Sequence, residues 1–147
     1  MPFRPPFFDE AACALKPVLH NLPGKIVSID GTVGTGKTTL GRFLAWYFNV
    51  TLLESDNFLL KGAGLRYNVD AVSAVIRHRL SKPRPILVEG VVALRLLAEA
   101  DFKSDFHIHL VSSTESTSEF LAAELAKYRL EYRPSERANL TLSPVHE

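Results

Sequence analysis

Cysteine is nearly missing from this chain: among 147 residues there is one, Cys13. A lone thiol closes no intrachain disulfide, and no Cys/His spacing suggests a zinc site. A reducing setting is the default for such a sequence, so a cytoplasmic location is expected. Long apolar runs are lacking too. No stretch approaches the roughly 20 apolar residues of a membrane span. The start, MPFRPPFFDE, carries prolines and few positive charges where a signal peptide has an apolar run. No membrane partner is expected. Nor does either sign of charge dominate, since 17 basic and 16 acidic residues leave a formal net charge of +1. General nucleic-acid binding usually needs a concentrated basic face, and nothing here gives reason to expect one. Phosphate chemistry, which needs only a local basic site, stays open.

Hydrophobic residues make up 46% of the chain, which suits a globular protein, and the length suits one domain with a real core better than two. Residues 1–147 are therefore read as one domain, with 1–24 as an N-terminal extension. Residues 1–8 are Pro- and Phe-rich. A short helix is expected from about Asp9 to His20, with Ala12, Leu15, Val18 and Leu19 on one side, stopped by Asn21-Leu22-Pro23-Gly24. Short apolar runs predict strands at 25–30 (KIVSID), 50–54 (VTLLE), 86–89 (ILVE), 106–111 (FHIHLV) and 138–142 (ANLTL). Between them, periodicity predicts helices from Thr38 to about Phe48, with Leu40, Phe43, Leu44 and Tyr47 recurring, and from Asp70 to Leu80, with Val72, Val75, Ile76 and Leu80. Further helices are expected from Val91 to about Ala98 and from Ser118 to about Leu130. Residues 55–67 read as irregular. Strands alternating with helices throughout predict an α/β fold, a parallel sheet with helices on both faces.

After the first strand, Gly31-Thr32-Val33-Gly34-Thr35-Gly36-Lys37-Thr38 fits the phosphate-loop pattern G-x-x-x-x-G-K-[ST] in full. The spacing has a physical reason. Glycines let the backbone curl so that its N–H groups converge on phosphate oxygens. The helix that follows, starting near Thr38 and Thr39, offers the same anion its free donors and positive dipole end. Lys37 is expected to reach the β- and γ-phosphates, and the Thr38 hydroxyl to ligate Mg²⁺. A nucleoside triphosphate with Mg²⁺ is the implied ligand.

Ligands of open α/β sheets sit beyond the carboxyl ends of the strands, and three carboxylates fall there. Glu89 ends the third strand. It can hold Mg²⁺ or position an attacking group, or it is a solvated strand-end residue. Asp56 follows the second strand. It can take a proton from a substrate hydroxyl as general base, or it makes an Asx-turn. Asp30 braces the loop or the metal shell, or forms a local turn. His107 and His109, at i and i+2 on one face of the fourth strand, have the geometry of a metal pair. No third ligand is evident, so they are read as structural. Phe7, Phe8, Trp46 and Phe48 are read as packing residues.

Together these segments resemble the uridine kinase-like branch of the P-loop kinases. IDGTVGTGKTT looks like that group's first strand and phosphate loop. SDNF resembles its second-strand motif, in which an Asp before an aromatic faces the phosphate acceptor. PILVEGVVAL is similar to its third strand. YRPSERANLTL is similar to the stretch leading to its last strand, with Asn139 where Asp is commoner. The resemblance runs from about residue 25 to 142 and implies the three-layer P-loop NTPase fold with strand order 2-3-1-4-5. It also implies use of ATP and Mg²⁺ and γ-phosphate transfer to a small hydroxyl-bearing acceptor. It points to Asp56 as base, with Arg66 and Tyr67 as contacts for the acceptor. The family's arginine-rich lid falls on STESTSEFLAAELAKYRLEYRPSER, whose first half is poor in basic residues. Arg129 and Arg133 are the lid arginines to expect, beside Lys127 and Arg137, and each is also explained as a solvated charge on a surface helix. Against that family's pattern the closing helix is expected to be shortened or absent, with the N-terminal helix covering the exposed sheet face instead.

The leading expectation is an ATP-dependent small-molecule kinase, a monomer or homodimer. A nucleotide-binding module or slow NTPase without an acceptor is the alternative. A GTPase-type switch would want an N-K-x-D motif, which the chain lacks.

Overall fold

Strand β1 (Ile26–Gly31) runs through the middle of a five-stranded sheet, with β3 (Ile86–Glu89) on one side and β4 (Phe106–Leu110) on the other. Strand β2 (Thr51–Glu54) flanks β3 and β5 (Leu140–Leu142) flanks β4. Every pairing is parallel and the order is β2-β3-β1-β4-β5, as expected. The computed structural model describes residues 5–32, 35–62, 64–111 and 118–144.

Parallel strands are joined by crossovers, and the helices supply them. They are α1 (Pro6–Leu15), α2 (Lys37–Phe48), α3 (Val69–Ser81), α4 (Ala93–Glu99), α5 (Glu119–Tyr132) and the single turn α6 (Pro134–Arg137). Alternation along the strands divides the core in two. Val27, Ile29, Leu87, Ile108, Leu110 and Leu142 pack against Ala11, Ala12 and Leu15 of α1, Leu19 beyond it, and Leu40 and Leu44 of α2. Ile26, Leu53, Ile86 and Val88 face the other way, onto Val72 and Ile76 of α3, Leu94, Leu96 and Leu97 of α4, and Leu125 and Tyr128 of α5. Three layers result. Helix α1 lies against α2 and β5, so the N-terminal segment does cover a sheet face. No helix among the described residues is long and apolar enough to cross a membrane.

Several boundaries differ from the sequence reading for local reasons. Helix α1 begins at Pro6, three residues early, because proline at the first helical position brings a suitable φ and lacks only an N–H that would be unpaired anyway. It ends at Leu15 because Pro17 cannot donate to the next turn. Arg133, at φ 48°, ends α5 in a left-handed cap, and Pro134 then starts α6, which the sequence reading did not anticipate. On α2, Leu40 and Leu44 are buried, whereas Trp46 is 72% exposed, its ring tilted 45° to that of Phe43 with centroids 6.1 Å apart.

Leu15 is fully buried between α2 and the sheet. Leu15→Ala is expected to cost about 2–5 kcal/mol of unfolding free energy, read by denaturant titration. A loss under about 1 kcal/mol would mean that α1 is not part of the core.

Candidate functional site

The parallel register brings the chemistry to one edge. Ile29 on β1 pairs with Glu89 on β3, Asp30 with His109, and Gly31 with Leu110. Glu89 also pairs with Glu54 on β2. Beyond that edge the phosphate loop leaves β1. A Cβ at Gly31 would lie 2.7 Å from Thr35 Oγ1 and 3.0 Å from Leu110 Cβ, so only glycine lets the loop fold this tightly on the sheet. Thr35 is buried and holds the turn, its Oγ1 donating to the Thr32 carbonyl at 2.8 Å. Gly36, at φ 89°, sets the left-handed step into α2. No side chain caps α2, which leaves its first-turn N–H donors to the loop. Val33 and Gly34, both expected to contact phosphate, lie outside the described residues.

Lys37 opens α2 and is only 9% exposed. The Thr38 hydroxyl, half-buried, donates to Glu89 Oε1 at 3.2 Å, while Thr39 is exposed. Glu89 is buried, which excludes a solvated strand-end residue, and its Oε2 has no hydrogen-bond partner among the described residues. Burial raises its pKa above the usual carboxylate range, against the opposing pull of Lys37 and Thr38. An orphaned carboxylate oxygen beside a hydroxyl is a set of hard donors, and it fits Mg²⁺.

Asp56 is exposed on a 3₁₀ turn, Ser55–Phe58, directly after β2. That turn is locked to β3, because a Cβ at Gly90 would collide with buried Ser55. This explains the glycine after Glu89. The chain then doubles back through an antiparallel bridge between Leu59 and Tyr67, so residues 55–67 are more ordered than the sequence suggested. Tyr67 is buried, close to Ser55 but without hydrogen-bond alignment. Burial raises its pKa, and the charges of Asp56, Arg95 and Glu89 all reach it. Tyr67 is held inside the fold, whereas Arg66 is exposed.

The two lid arginines separate. Arg129 borders a cavity of about 300 Å³ that Asp30, Gly31 and Thr32 also line. Arg133 is exposed and pairs with Glu136 at 3.8 Å. Arg129 lies on α5 and Arg133 caps its end, both within the segment where the lid is expected; residues 112–117 of that segment lie outside the described residues.

Three residues in this region carry no signal in the sequence reading. Tyr128 of α5 donates its hydroxyl proton to Asp30 Oδ2 at 2.6 Å and accepts from the Leu94 N–H at 3.2 Å. Its helical spacing from Leu121 and Leu125 marks it as inward-facing, but nothing in the spacing names Asp30 as its partner. Arg95 donates to the Leu65 carbonyl at 2.5 Å and pairs with Glu99 and Glu124, which ties α4 and α5 to the loop before Tyr67. Ser55 acts through Gly90, as above. Asp30 itself makes no turn. Burial alone would raise its carboxyl, but His107 and His109 beside it hold it below the usual range. Tyr128→Phe strands the Asp30 oxygen and the Leu94 N–H together. It is expected to cost about 1–3 kcal/mol by denaturant titration, and no measurable cost would mean that the bond does not form.

No protein-family model matches the sequence, and no curated protein matches it. Solved structures resemble its fold. A possible uridine kinase from Bacillus stearothermophilus superposes with a TM-score of 0.66 at 17% identity, covering 92% of this chain and 96% of that one. Shikimate kinase from Acinetobacter baumannii, solved with shikimate, gives 0.53 at 16% identity, covering 90% and 89%. A putative fructose transport system kinase from Silicibacter sp. TM1040 gives 0.52 at 19% identity, covering 89% and 98%. At these identities the likeness is one of architecture, and the architecture is that of the P-loop kinases.

Proposed function

We propose that the protein is an ATP-dependent small-molecule kinase that moves a γ-phosphate to a hydroxyl group on a nucleoside-like, sugar or vitamin acceptor. The observation that carries this reading is the pairing of Thr38 with buried Glu89 at the mouth of the phosphate loop, beside buried Lys37. A cation and hard oxygen donors held at a helix N-terminus suit a polyphosphate and its metal. The loop residues Gly31 to Thr39 cradle the phosphates, and Lys37 offsets charge on the β- and γ-oxygens. Thr38 and Glu89 would hold Mg²⁺, which would neutralise part of the triphosphate charge. Asp56, on the next strand end, orients the acceptor hydroxyl and takes its proton. Tyr67 and Arg66 contact the acceptor, and Arg129 and Arg133 supply positive charge from the lid side. Catalysis rests on positioning and charge stabilisation, with no covalent intermediate. The names of the similar structures, kinases of small molecules, support the same class. The chain is read as one domain, acting in the cytoplasm as a monomer or homodimer.

A second reading has its own observation. Lys127 and Arg133 engage glutamates of their own segment, Glu124 and Glu136, which leaves the lid weakly basic toward phosphate. On that reading the protein is a nucleotide-binding module or slow NTPase. A thermal-shift screen of nucleosides, sugars and vitamins with a non-hydrolysable ATP analogue separates the two, since a bound acceptor raises the melting temperature by mass action. The kinase reading expects a hit; tight MgATP binding with no acceptor across the panel favours the module. With an acceptor in hand, Asp56→Asn is expected to keep MgATP affinity within about twofold and to lose transfer by about 100-fold or more. Transfer at the normal rate by that variant would remove Asp56 from the mechanism.

A further inference from the structure

The two histidines that lacked a third partner in the sequence have one in the fold. Strand pairing sets Ser28 beside His107 and Asp30 beside His109, and alternation turns all four side chains to the same face of the sheet. Asp30 Oδ1 lies 2.6 Å from His109 Nδ1 and 3.1 Å from His107 Nε2. One donor atom from each of Asp30, His107 and His109 falls within 4.8 Å of the others. We infer that these three residues form a binding site for one divalent transition-metal ion of the zinc type, distinct from the Mg²⁺ position at Thr38 and Glu89.

A cluster of donor atoms and a buried, unpartnered ring nitrogen carry the inference. The Ser104 hydroxyl donates to the Phe106 carbonyl at 3.0 Å, so it has no proton left for Ser28. Ser28 must therefore donate to Ser104 Oγ, at 2.6 Å. That leaves Ser28 Oγ to accept from His107 Nδ1–H, also at 2.6 Å. With Nδ1 engaged by Ser28, His107 has only Nε2 for a further partner, and Nε2 lies 3.1 Å from Asp30 Oδ1 without hydrogen-bond alignment. His107 is 3% exposed and Asp30 1%, and Nε2 has no hydrogen-bond partner among the described residues. A buried ring nitrogen without a partner beside a carboxylate is a place where a shared cation would satisfy both.

The surroundings suit a metal. Ser28 on His107 and the Tyr128 hydroxyl on Asp30 Oδ2 are the outer hydrogen bonds that orient ligands. Tetrahedral zinc, with bonds of about 2.0 Å, holds its ligand atoms roughly 3.3 Å apart. The His107–Asp30 spacing is near that already. His109, 16% exposed at its side chain, would have to move about 0.7 Å away from the Asp30 oxygen to reach that spacing. The cavity lined by Asp30, His109 and Tyr128 leaves room for water as a fourth ligand. Two imidazoles with one carboxylate select zinc, cobalt or nickel over Mg²⁺, which prefers oxygen throughout. The ion would tie β1 to β4 one residue before the phosphate loop begins.

The test uses the full chain, stripped with a chelator and titrated with Co²⁺, whose visible absorption reports four-coordinate binding, in millimolar Mg²⁺. One saturating equivalent is expected, displaced by Zn²⁺. His109→Ala and Asp30→Asn are each expected to weaken Co²⁺ binding by about 100-fold or more, and Thr38→Ala to leave it unchanged. Circular dichroism confirms that each variant is folded, and His109→Gln replaces His109→Ala if the latter is not. No saturable equivalent in the parent, affinity kept by the folded His109 variant, or loss in Thr38→Ala instead would overturn the inference.

Discussion

Parallel pairing of β1 with both β3 and β4 is the constraint on which the rest depends. It fixes which side chains meet at the carboxyl edge: Glu89 level with Ile29, His109 level with Asp30, Leu110 level with Gly31. A slip of one residue would turn Val27 and Ile29 away from α1 and α2 and would put Ser28 and Asp30 in their place. The apolar core therefore enforces the register, and the register assembles the site. Gly31 is where the two requirements meet, because any side chain there would strike both the loop and β4.

The edge is expensive in buried polarity. Lys37, Glu89 and Asp30 are all buried, and each carries a desolvation cost that neighbours offset only in part. Around Asp30 the offset is extensive, with Tyr128 and His109 within 2.6 Å. Around Glu89 it is not. Of the six buried side-chain atoms without a hydrogen-bond partner among the described residues, Thr32 Oγ1, Ser55 Oγ, Tyr67 OH and Glu89 Oε2 belong to segments at the carboxyl edge, and Arg95 Nε and His107 Nε2 are the others. Native proteins leave few such atoms, so their gathering at one edge marks it as a place built for a ligand. The apolar layers on both faces of the sheet supply the stability that this arrangement draws on.

Much of the architecture was legible in the residues. Short apolar runs gave five strands, and a full phosphate-loop pattern located the switch from β1 to α2. Asp56 and Glu89 stand out in the sequence because strand ends are where such sheets bind. What escaped depends on partners far apart in the chain. Asp30 was seen as a loop neighbour, but Tyr128 lies 98 residues away and only the packing of α5 on the sheet brings them together. The same holds for Arg95, whose partners Leu65 and Glu124 sit on other elements, and for the third group beside His107 and His109. Trp46 misled because an aromatic residue in an amphipathic helix usually packs, and here it falls on the solvent side of α2. Helix α6 was missed because it rests on a left-handed arginine, which spacing does not reveal.

The central claim is that main-chain amides, the Lys37 ammonium and the Thr38–Glu89 pair receive a magnesium-bound triphosphate. Isothermal calorimetry on folded protein, comparing the parent with Lys37→Ala, tests it most directly. The account predicts saturable one-site heat with MgATP in the parent and a loss of affinity of about 100-fold or more in the variant, with the melting temperature of the unliganded protein little changed. Equal heats from both proteins, or none from the parent with any magnesium–nucleoside triphosphate, would contradict it.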